Sequence, residues 1–139
     1  MPPVRLLRIH HVGVAVESLS AASPVWEGLL GLVATKDETV ASQRVAVRFY
    51  PVGESKIECL ETLDPQGPVG KFLASRGPGL HHVAFEVDDC AAALAEAAAA
   101  GARLVDAVPR AGAAGSLVGF LHPKSTGGAL VELVQPARR

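Results

Sequence analysis

The sequence has few aromatic residues, few cysteines and no excess of charge of either sign. Aromatic residues make up 4% of the chain, and its two cysteines, Cys59 and Cys90, are too few for a disulfide framework. Thirteen Lys and Arg against fourteen Asp and Glu give a formal charge of −1, which argues against a nucleic-acid-binding or anionic-membrane-binding surface. Two buried free thiols favour a reducing compartment, so we expect a cytoplasmic protein.

The sequence also lacks a long apolar run. The N-terminal segment MPPVRLLRIH has no apolar core of the kind that a secretory leader needs. No uninterrupted apolar stretch approaches the roughly 20 residues of a membrane-spanning helix. A hydrophobic share of 49% and a mean hydropathy of +0.29 are instead typical of a compact globular protein. We therefore expect one domain over residues 1–139.

An internal repeat is present, built on a strand that carries two adjacent histidines. Residues 9–16 read IHHVGVAV and residues 80–87 read LHHVAFEV, which places His11 and His82 71 positions apart. Two later pairs of residues, Phe49 with Phe120 and Gly31 with Gly101, lie 71 and 70 positions apart. Self-similarity at a constant period indicates a duplicated module.

Each copy of the repeat has the pattern strand, helix, strand, strand, strand. Alternating apolar residues and turn signals predict strands at 8–16, 32–40, 44–50, 56–63, 80–87, 103–107, 116–121 and 129–135. Ser18 or Ser20 should cap a helix that ends at Gly31, and Asp89 should cap an alanine-rich helix over residues 90–100. The prediction is an α+β fold of two tandem βαβββ modules, about 8–63 and 79–135, joined by a linker over 64–78 that carries a short helix.

Four polar side chains lie on the strand faces opposite the apolar faces that the helices should cover. They are His11, Glu58, His82 and Glu132, and side chains alternate across a strand. A lone strand histidine is usually structural and a lone strand glutamate is usually solvated, but these residues recur as two matched pairs. A carboxylate buried without a partner costs several kcal/mol. A divalent metal bound by all four would remove that cost, and the ligand types suit Zn, Co, Ni, Mn or Fe.

Four segments of the chain are similar to a known family. They read IHHVGVAVESL, KIECLE, GLHHVAFEVDD and VGFLHPKSTGGALVELVQP and extend from residue 9 to residue 136. They resemble the vicinal oxygen chelate superfamily and, within it, the methylmalonyl-CoA epimerases. The resemblance implies a cupped, barrel-like mixed sheet with the helices outside and a divalent metal (Co, Zn, Ni or Mn) inside. It places the metal ligands at the same four positions: His11, Glu58, His82 and Glu132.

The resemblance implies an enzyme that interconverts the (2R) and (2S) forms of methylmalonyl-CoA. The metal would act as a Lewis acid on the enolate, while a base removes the C2 proton and an acid returns it on the other face. Glu132 is the first candidate for one role and Glu58 for the other. Some members have glutamine at the position of Glu58 and an acid at that of Val47, so this chain follows the variant in which Glu58 is a ligand and a base.

The resemblance also implies an acyl-CoA substrate, a homodimer, a role in propionate metabolism, and no nucleic-acid or membrane partner. CoA phosphates require cations near the mouth of the cleft, and Lys124, Arg44 and Arg76 are candidates for substrate binding. Most surface Lys and Arg only keep a protein soluble, so these three are predicted from charge alone.

Three other functions are known for the same fold. Glyoxalase I, a lactoylglutathione lyase, shares the fold and a similar His and Glu set, but the HPK and LVEL segments favour the epimerase. An extradiol dioxygenase needs two His and one carboxylate, and a fourth ligand argues against it. A ligand-sequestering protein of this fold would have no reason to keep four metal ligands in register, so tight metal retention would exclude it.

Overall fold

The computed structural model describes residues 2–138. Contacts divide the chain into two compact units, residues 11–81 and residues 82–138 with the N-terminal segment 2–10. These are called the first and second unit. Among the described residues, no helix has the length and apolar character needed to cross a membrane.

The first unit holds a four-stranded mixed sheet. Its strands are β1 (Arg8–Ala15), β2 (Asp37–Val40), β3 (Val45–Val52) and β4 (Ser55–Thr62), and its helices are α1 (Leu19–Ser23) and α2 (Pro68–Arg76). The strand order is β2-β3-β4-β1, with β1 and β4 parallel and the other neighbours antiparallel. The predicted order of strands and helix is therefore confirmed for this half of the chain.

The second unit repeats that arrangement. Its strands are β5 (Gly79–Glu86), β6 (Arg110–Ala111), β7 (Leu117–Leu121) and β8 (Val131–Gln135), and its helix is α3 (Cys90–Ala99). The order is β5-β8-β7-β6, and β5 and β8 are the parallel neighbours. In both units the first and last strands of the module are parallel neighbours: β1 pairs with β4, and β5 pairs with β8. Residues on these strands therefore lie opposite one another.

Both predicted helix caps are present. The Ser18 hydroxyl accepts a hydrogen bond from the Ala21 amide at 3.0 Å, and the Asp89 carboxylate accepts one from the Ala92 amide at 3.0 Å. Each cap satisfies an amide that has no partner within its helix. The apolar side chains of each helix then pack on one sheet face, for example Leu94 of α3, which is fully buried.

Two predicted strands and one predicted helix differ from the structure. The strand predicted at 103–107 is reduced to a single bridge between Leu104 and Leu121, and pairing resumes only in β6. The strand predicted at 32–40 begins at Asp37, because Leu32 closes the preceding turn by donating its N–H to Trp26. The predicted helix continues beyond α1 as a π-helical segment, Pro24–Leu29. Pro24 has no N–H, so it cannot donate the next hydrogen bond of the α1 helix.

Candidate functional site

The first unit brings His11 and Glu58 together on one sheet face. Because Gly13 of β1 is in register with Glu58 of β4, His11 lies on the face that carries the glutamate. The Nδ1 atom of His11 lies 3.2 Å from Oε2 of Glu58, and both side chains are 6% exposed. This pair of predicted ligands is therefore in contact and shielded from bulk water.

The second unit brings His82 and Glu132 together in the same way. Ala84 of β5 is in register with Glu132 of β8, so His82 and the glutamate share a face. The Nε2 atom of His82 lies 3.1 Å from Oε1 of Glu132, and the side chains are 2% and 3% exposed. The duplication seen in the sequence is thus a duplication of the His–Glu contact itself.

The separation of the ligand atoms within each pair suits a metal ion. Two atoms that each lie about 2.1 Å from one ion are roughly 3.0 Å apart at a right angle and roughly 3.4 Å apart at a tetrahedral angle, and the observed 3.2 and 3.1 Å fall between these values. Imidazole nitrogen and carboxylate oxygen are both ligands of first-row divalent metals. Each buried pair could therefore supply two adjacent positions of a coordination shell.

A phenylalanine lies beside the glutamate of each pair. Phe49 of β3 is in register with Glu58, and Phe120 of β7 is in register with Glu132. The His82 ring meets the Phe120 ring edge to face, with the centroids 5.5 Å apart. These rings form an apolar wall next to carboxylates that have little contact with water, and their 71-residue spacing was the signal that could have identified them.

Cationic side chains lie over the rings of Phe49 and Phe120. They are not the cations that the sequence predicts from charge alone. The ammonium groups of Lys36 and Lys56 lie 5.5 and 5.2 Å from the Phe49 centroid. The Arg110 guanidinium lies 5.6 Å from the Phe120 centroid, and its Nε is 3.3 Å from Asp106. Lys56 precedes Glu58 by two residues on β4, so alternation in the sequence already places it on the ligand face; Lys36 and Arg110 have no comparable signal.

Two of the three cations predicted to bind substrate have side-chain partners within the chain. Arg44 Nη1 lies 2.8 Å from Asp64, and this contact lowers the pKa of the Asp64 carboxyl. Arg76 of α2 lies over the Phe72 ring, 5.7 Å from its centroid. Lys124 lies in a tight turn, and its backbone N–H donates a hydrogen bond to Nδ1 of His122 at 3.1 Å. Their roles in substrate binding stay predictions.

Two further sequence positions are clarified by the structure. Val47 is 2% exposed and in register with Leu60, so it lies on the ligand face and makes that face apolar at this position. Arg48 is on the opposite face: its guanidinium binds Asp37 through two hydrogen bonds of 2.8 and 2.9 Å. The arginine therefore belongs to the packing of the sheet and its helix.

Comparison with known proteins assigns the fold. The model of the Glyoxalase/Bleomycin resistance protein/Dioxygenase superfamily matches residues 10–120. The chain belongs to this superfamily. The superfamily match, together with the two βαβββ units described above, confirms the predicted fold class.

The relatives of this superfamily member include named epimerases. The chain is 38% identical to ethylmalonyl-CoA/methylmalonyl-CoA epimerase of Cereibacter sphaeroides, over 92% of this chain and 97% of that protein. It is 40% identical to the uncharacterized protein YqjC of Bacillus subtilis, over 93% and 92%. A structure of Streptomyces coelicolor methylmalonyl-CoA epimerase in complex with 2-nitronate-propionyl-CoA superimposes with a TM-score of 0.92, at 34% identity and 96% coverage of both chains.

These matches confirm two predictions from the sequence. The resemblance to methylmalonyl-CoA epimerases covers nearly the whole chain, and the relatives that carry it are enzymes. This superfamily member is therefore an enzyme of the epimerase branch. The superfamily also typically binds a divalent metal, which agrees with the composition of the two His–Glu pairs.

Proposed function

We propose that this protein is a metal-dependent methylmalonyl-CoA epimerase. The observation that carries the proposal is the pair of buried His–Glu contacts, repeated at matched positions in the two units. The similarity to epimerases along the whole chain supports the substrate, and the chemistry of the four side chains supports the metal. We further propose that the protein is a cytoplasmic homodimer with an acyl-CoA substrate, as the sequence resemblance implies.

The proposed metal ligands are His11, Glu58, His82 and Glu132. The two carboxylates carry two negative charges in surroundings where an uncompensated charge costs several kcal/mol. One divalent cation shared by the two pairs would neutralise both. Two His and two Glu ligands leave coordination positions for substrate oxygens, because divalent first-row metals accept five or six ligands.

The proposed reaction is removal of the C2 proton of methylmalonyl-CoA and its return on the other face. A bound divalent metal would supply Lewis-acid stabilisation of the negative charge that develops on the substrate oxygens. Glu132 takes the proton on one face of C2, and Glu58 gives a proton on the opposite face. Each carboxylate has two oxygens, so one can be a ligand while the other exchanges a proton with C2. Phe49 and Phe120 keep water from the carboxylates and limit competing proton exchange.

Deuterium incorporation at C2 tests the proposal. Metal-loaded protein is incubated with methylmalonyl-CoA in D2O, and the C2 signal is followed by NMR. We expect exchange at a catalytic rate that falls at least about 100-fold in Glu132→Gln, since an acid or base group typically contributes 10²–10⁴-fold. Glu96→Gln, which changes an exposed glutamate of α3, is the matched control and should keep full activity.

Two outcomes would redirect the proposal. If C2 stays protonated although metal is bound, the substrate is wrong, and glutathione hemithioacetals should be tested because glyoxalase I has the same fold. If the protein binds neither metal nor CoA thioesters, a ligand-sequestering function becomes the better explanation.

A further inference from the structure

Lys56 lies on the face of the sheet that carries the His11–Glu58 pair. Lys56 and Glu58 are separated by one residue on β4, so their side chains point to the same face. The Lys56 ammonium lies 5.2 Å from the centroid of Phe49, the residue in register with Glu58. The ring itself is 3% exposed, so the lysine covers a buried aromatic wall of the candidate site.

The positive charge of Lys56 is not compensated within the part of the chain that the structure describes. Lys56 is half-buried and makes no ion pair with the described residues. Lys36 lies over the same ring and pairs with Glu38 at 3.4 Å, with 55% of its own side chain exposed. An aromatic ring attracts an ammonium group but does not neutralise it. Of the two ammonium groups over the ring, Lys36 therefore has a carboxylate partner, whereas Lys56 has the ring alone among the described residues.

The second unit provides an internal comparison. Arg110 takes the corresponding place over Phe120, but the carboxylate of Asp106 lies 3.3 Å from its Nε. The same carboxylate accepts a hydrogen bond from the Phe120 amide at 2.9 Å, which fixes it beside the guanidinium. The duplicated modules thus both place a cation with a carboxylate partner over the ring, Lys36 with Glu38 in the first unit and Arg110 with Asp106 in the second. Lys56 is the additional cation of the first unit, and we expect its counter-ion to come from a ligand.

We propose that Lys56, assisted by Lys36, binds a phosphate group of the CoA part of the substrate. This inference rests on the proposed function, because it takes an acyl-CoA as the substrate. Phosphate is favoured over the acyl carboxylate because the cation at this place is an ammonium group and not a guanidinium. Lysine binds phosphate as a point charge without the planar fork that carboxylates favour. Lys56 is thus a binding residue that contributes to the affinity for CoA and not to proton transfer.

Truncated substrates test this assignment. Kinetics of Lys56→Ala and of the double variant Lys36→Ala/Lys56→Ala are measured with methylmalonyl-CoA and with methylmalonyl-pantetheine, which has no nucleotide phosphates. We expect the KM for the CoA thioester to rise about 3–10-fold with kcat unchanged, in the range for charge-assisted contacts at a partly exposed site. The KM for the pantetheine thioester should not change. A 3′-dephospho-CoA thioester then shows which phosphate is bound.

Two matched variants control for loss of charge and of side-chain volume. Lys71→Ala removes the same charge from the exposed surface of α2 and should leave both KM values unchanged. Lys56→Arg keeps the charge and should restore most of the affinity. An unchanged KM for the CoA thioester in both Lys56→Ala and Lys36→Ala/Lys56→Ala would overturn the proposal. So would an equal rise with both substrates, which would place Lys56 at the acyl group instead.

A binding measurement separates this inference from the proposed function. If the wild-type protein does not epimerise methylmalonyl-CoA, calorimetric titration with CoA and with pantetheine still reports on the lysines. Tighter binding of CoA than of pantetheine, lost in Lys56→Ala, would support the phosphate site although the epimerase proposal had failed. Equal binding of CoA by wild type and variant would overturn the phosphate site whatever the reaction.

Discussion

Gly119 is a residue whose lack of a side chain decides the packing of the second unit. A Cβ at this position of β7 would lie 2.6 Å from Cδ1 of Leu94 and 3.0 Å from its Cδ2. Leu94 is fully buried, so the leucine can move only by displacing its neighbours in the core. The close approach of α3 to the sheet therefore depends on the absence of a methyl group.

We predict that Gly119→Ala lowers the free energy of unfolding by about 1–3 kcal/mol, the usual cost of overpacking a well-filled core. Equilibrium unfolding in urea measures the change. Gly28→Ala is the control: a Cβ at Gly28 would meet no atom within 4 Å, so that variant should be neutral or slightly stabilised. Equal destabilisation by both substitutions would contradict the packing argument.

Cys90 is a second residue whose surroundings determine its chemistry. Burial raises the pKa of its thiol to about 11, and the thiol contacts the backbone oxygen of Leu133 at 3.6 Å. Since the thiolate is the reactive form, we predict that iodoacetamide at pH 8 does not alkylate Cys90 in the folded protein. Mass spectrometry of its peptide should show full labelling in urea. Rapid labelling without denaturant would contradict this burial.

Residue-level prediction succeeded where alternation along each strand was enough to assign a face. Alternation along a strand placed His11 and Glu58 on one face, and the structure brings them into contact. The cations over Phe49 could not be predicted as a group, because Lys36 reaches the ring from a segment 13 residues away in sequence. Convergence of this kind depends on tertiary packing, which a linear pattern does not contain.

At the scale of elements, Arg48 connects three parts of the first unit. Its guanidinium binds Asp37 of β2 and donates to the Leu19 carbonyl and the Ser23 hydroxyl of α1, at 3.2 and 2.9 Å. An isolated five-residue helix is not stable in water, so α1 depends on such tertiary contacts. The arginine of β3 therefore holds the short helix and the edge strand on the same sheet.

This connection should make stability depend on pH. The hydrogen bonds from Arg48 lower the pKa of the Asp37 carboxyl, so its contribution is present above the ordinary carboxyl pKa of about 3.9 and is lost as pH falls through the lower folded value. We predict that Asp37→Asn costs less than about 1 kcal/mol at pH 7, since Asp37 is half exposed. Thermal melts should show that the difference from wild type shrinks as the pH falls below the ordinary carboxyl pKa and disappears once Asp37 is protonated in the folded protein. A constant difference at all pH values would exclude this cause.

Element boundaries were predicted less well than element order. The strand predicted at 103–107 has the right apolar composition, but the segment is followed by Pro109 and pairs with β7 through one bridge only. Instead, the amides of Val105 and Asp106 both donate to the Phe120 carbonyl. Composition indicates that a segment can be a strand, whereas the number of ladder hydrogen bonds depends on the partner strand.

At the scale of the whole molecule, metal binding should be coupled to folding. The four proposed ligands lie far apart in sequence, so the unfolded chain cannot present them together. An ion at 100 times its dissociation constant adds about 2.7 kcal/mol to the stability of a protein that binds it only when folded. We predict that a chelator lowers the Tm by several degrees and that added Co²⁺ or Zn²⁺ restores it.

Differential scanning fluorimetry measures this shift, and two variants test its source. His82→Ala should lose most of the metal-dependent change in Tm. His122→Ala, which removes the side chain that accepts a hydrogen bond in the turn of Lys124, should keep the change even if its own Tm is lower. A metal-dependent shift retained in His82→Ala would contradict the assigned ligands.

The repetition of the His–Glu contact, at 3.2 Å in one unit and 3.1 Å in the other, has a consequence for the direction of the proposed reaction. The two epimers of methylmalonyl-CoA differ only in handedness at one carbon, so their free energies are nearly equal. Two glutamates in near-equivalent surroundings can exchange the parts of donor and acceptor when the reaction runs backwards. The catalyst would then be almost indifferent to direction, with similar turnover numbers from either epimer.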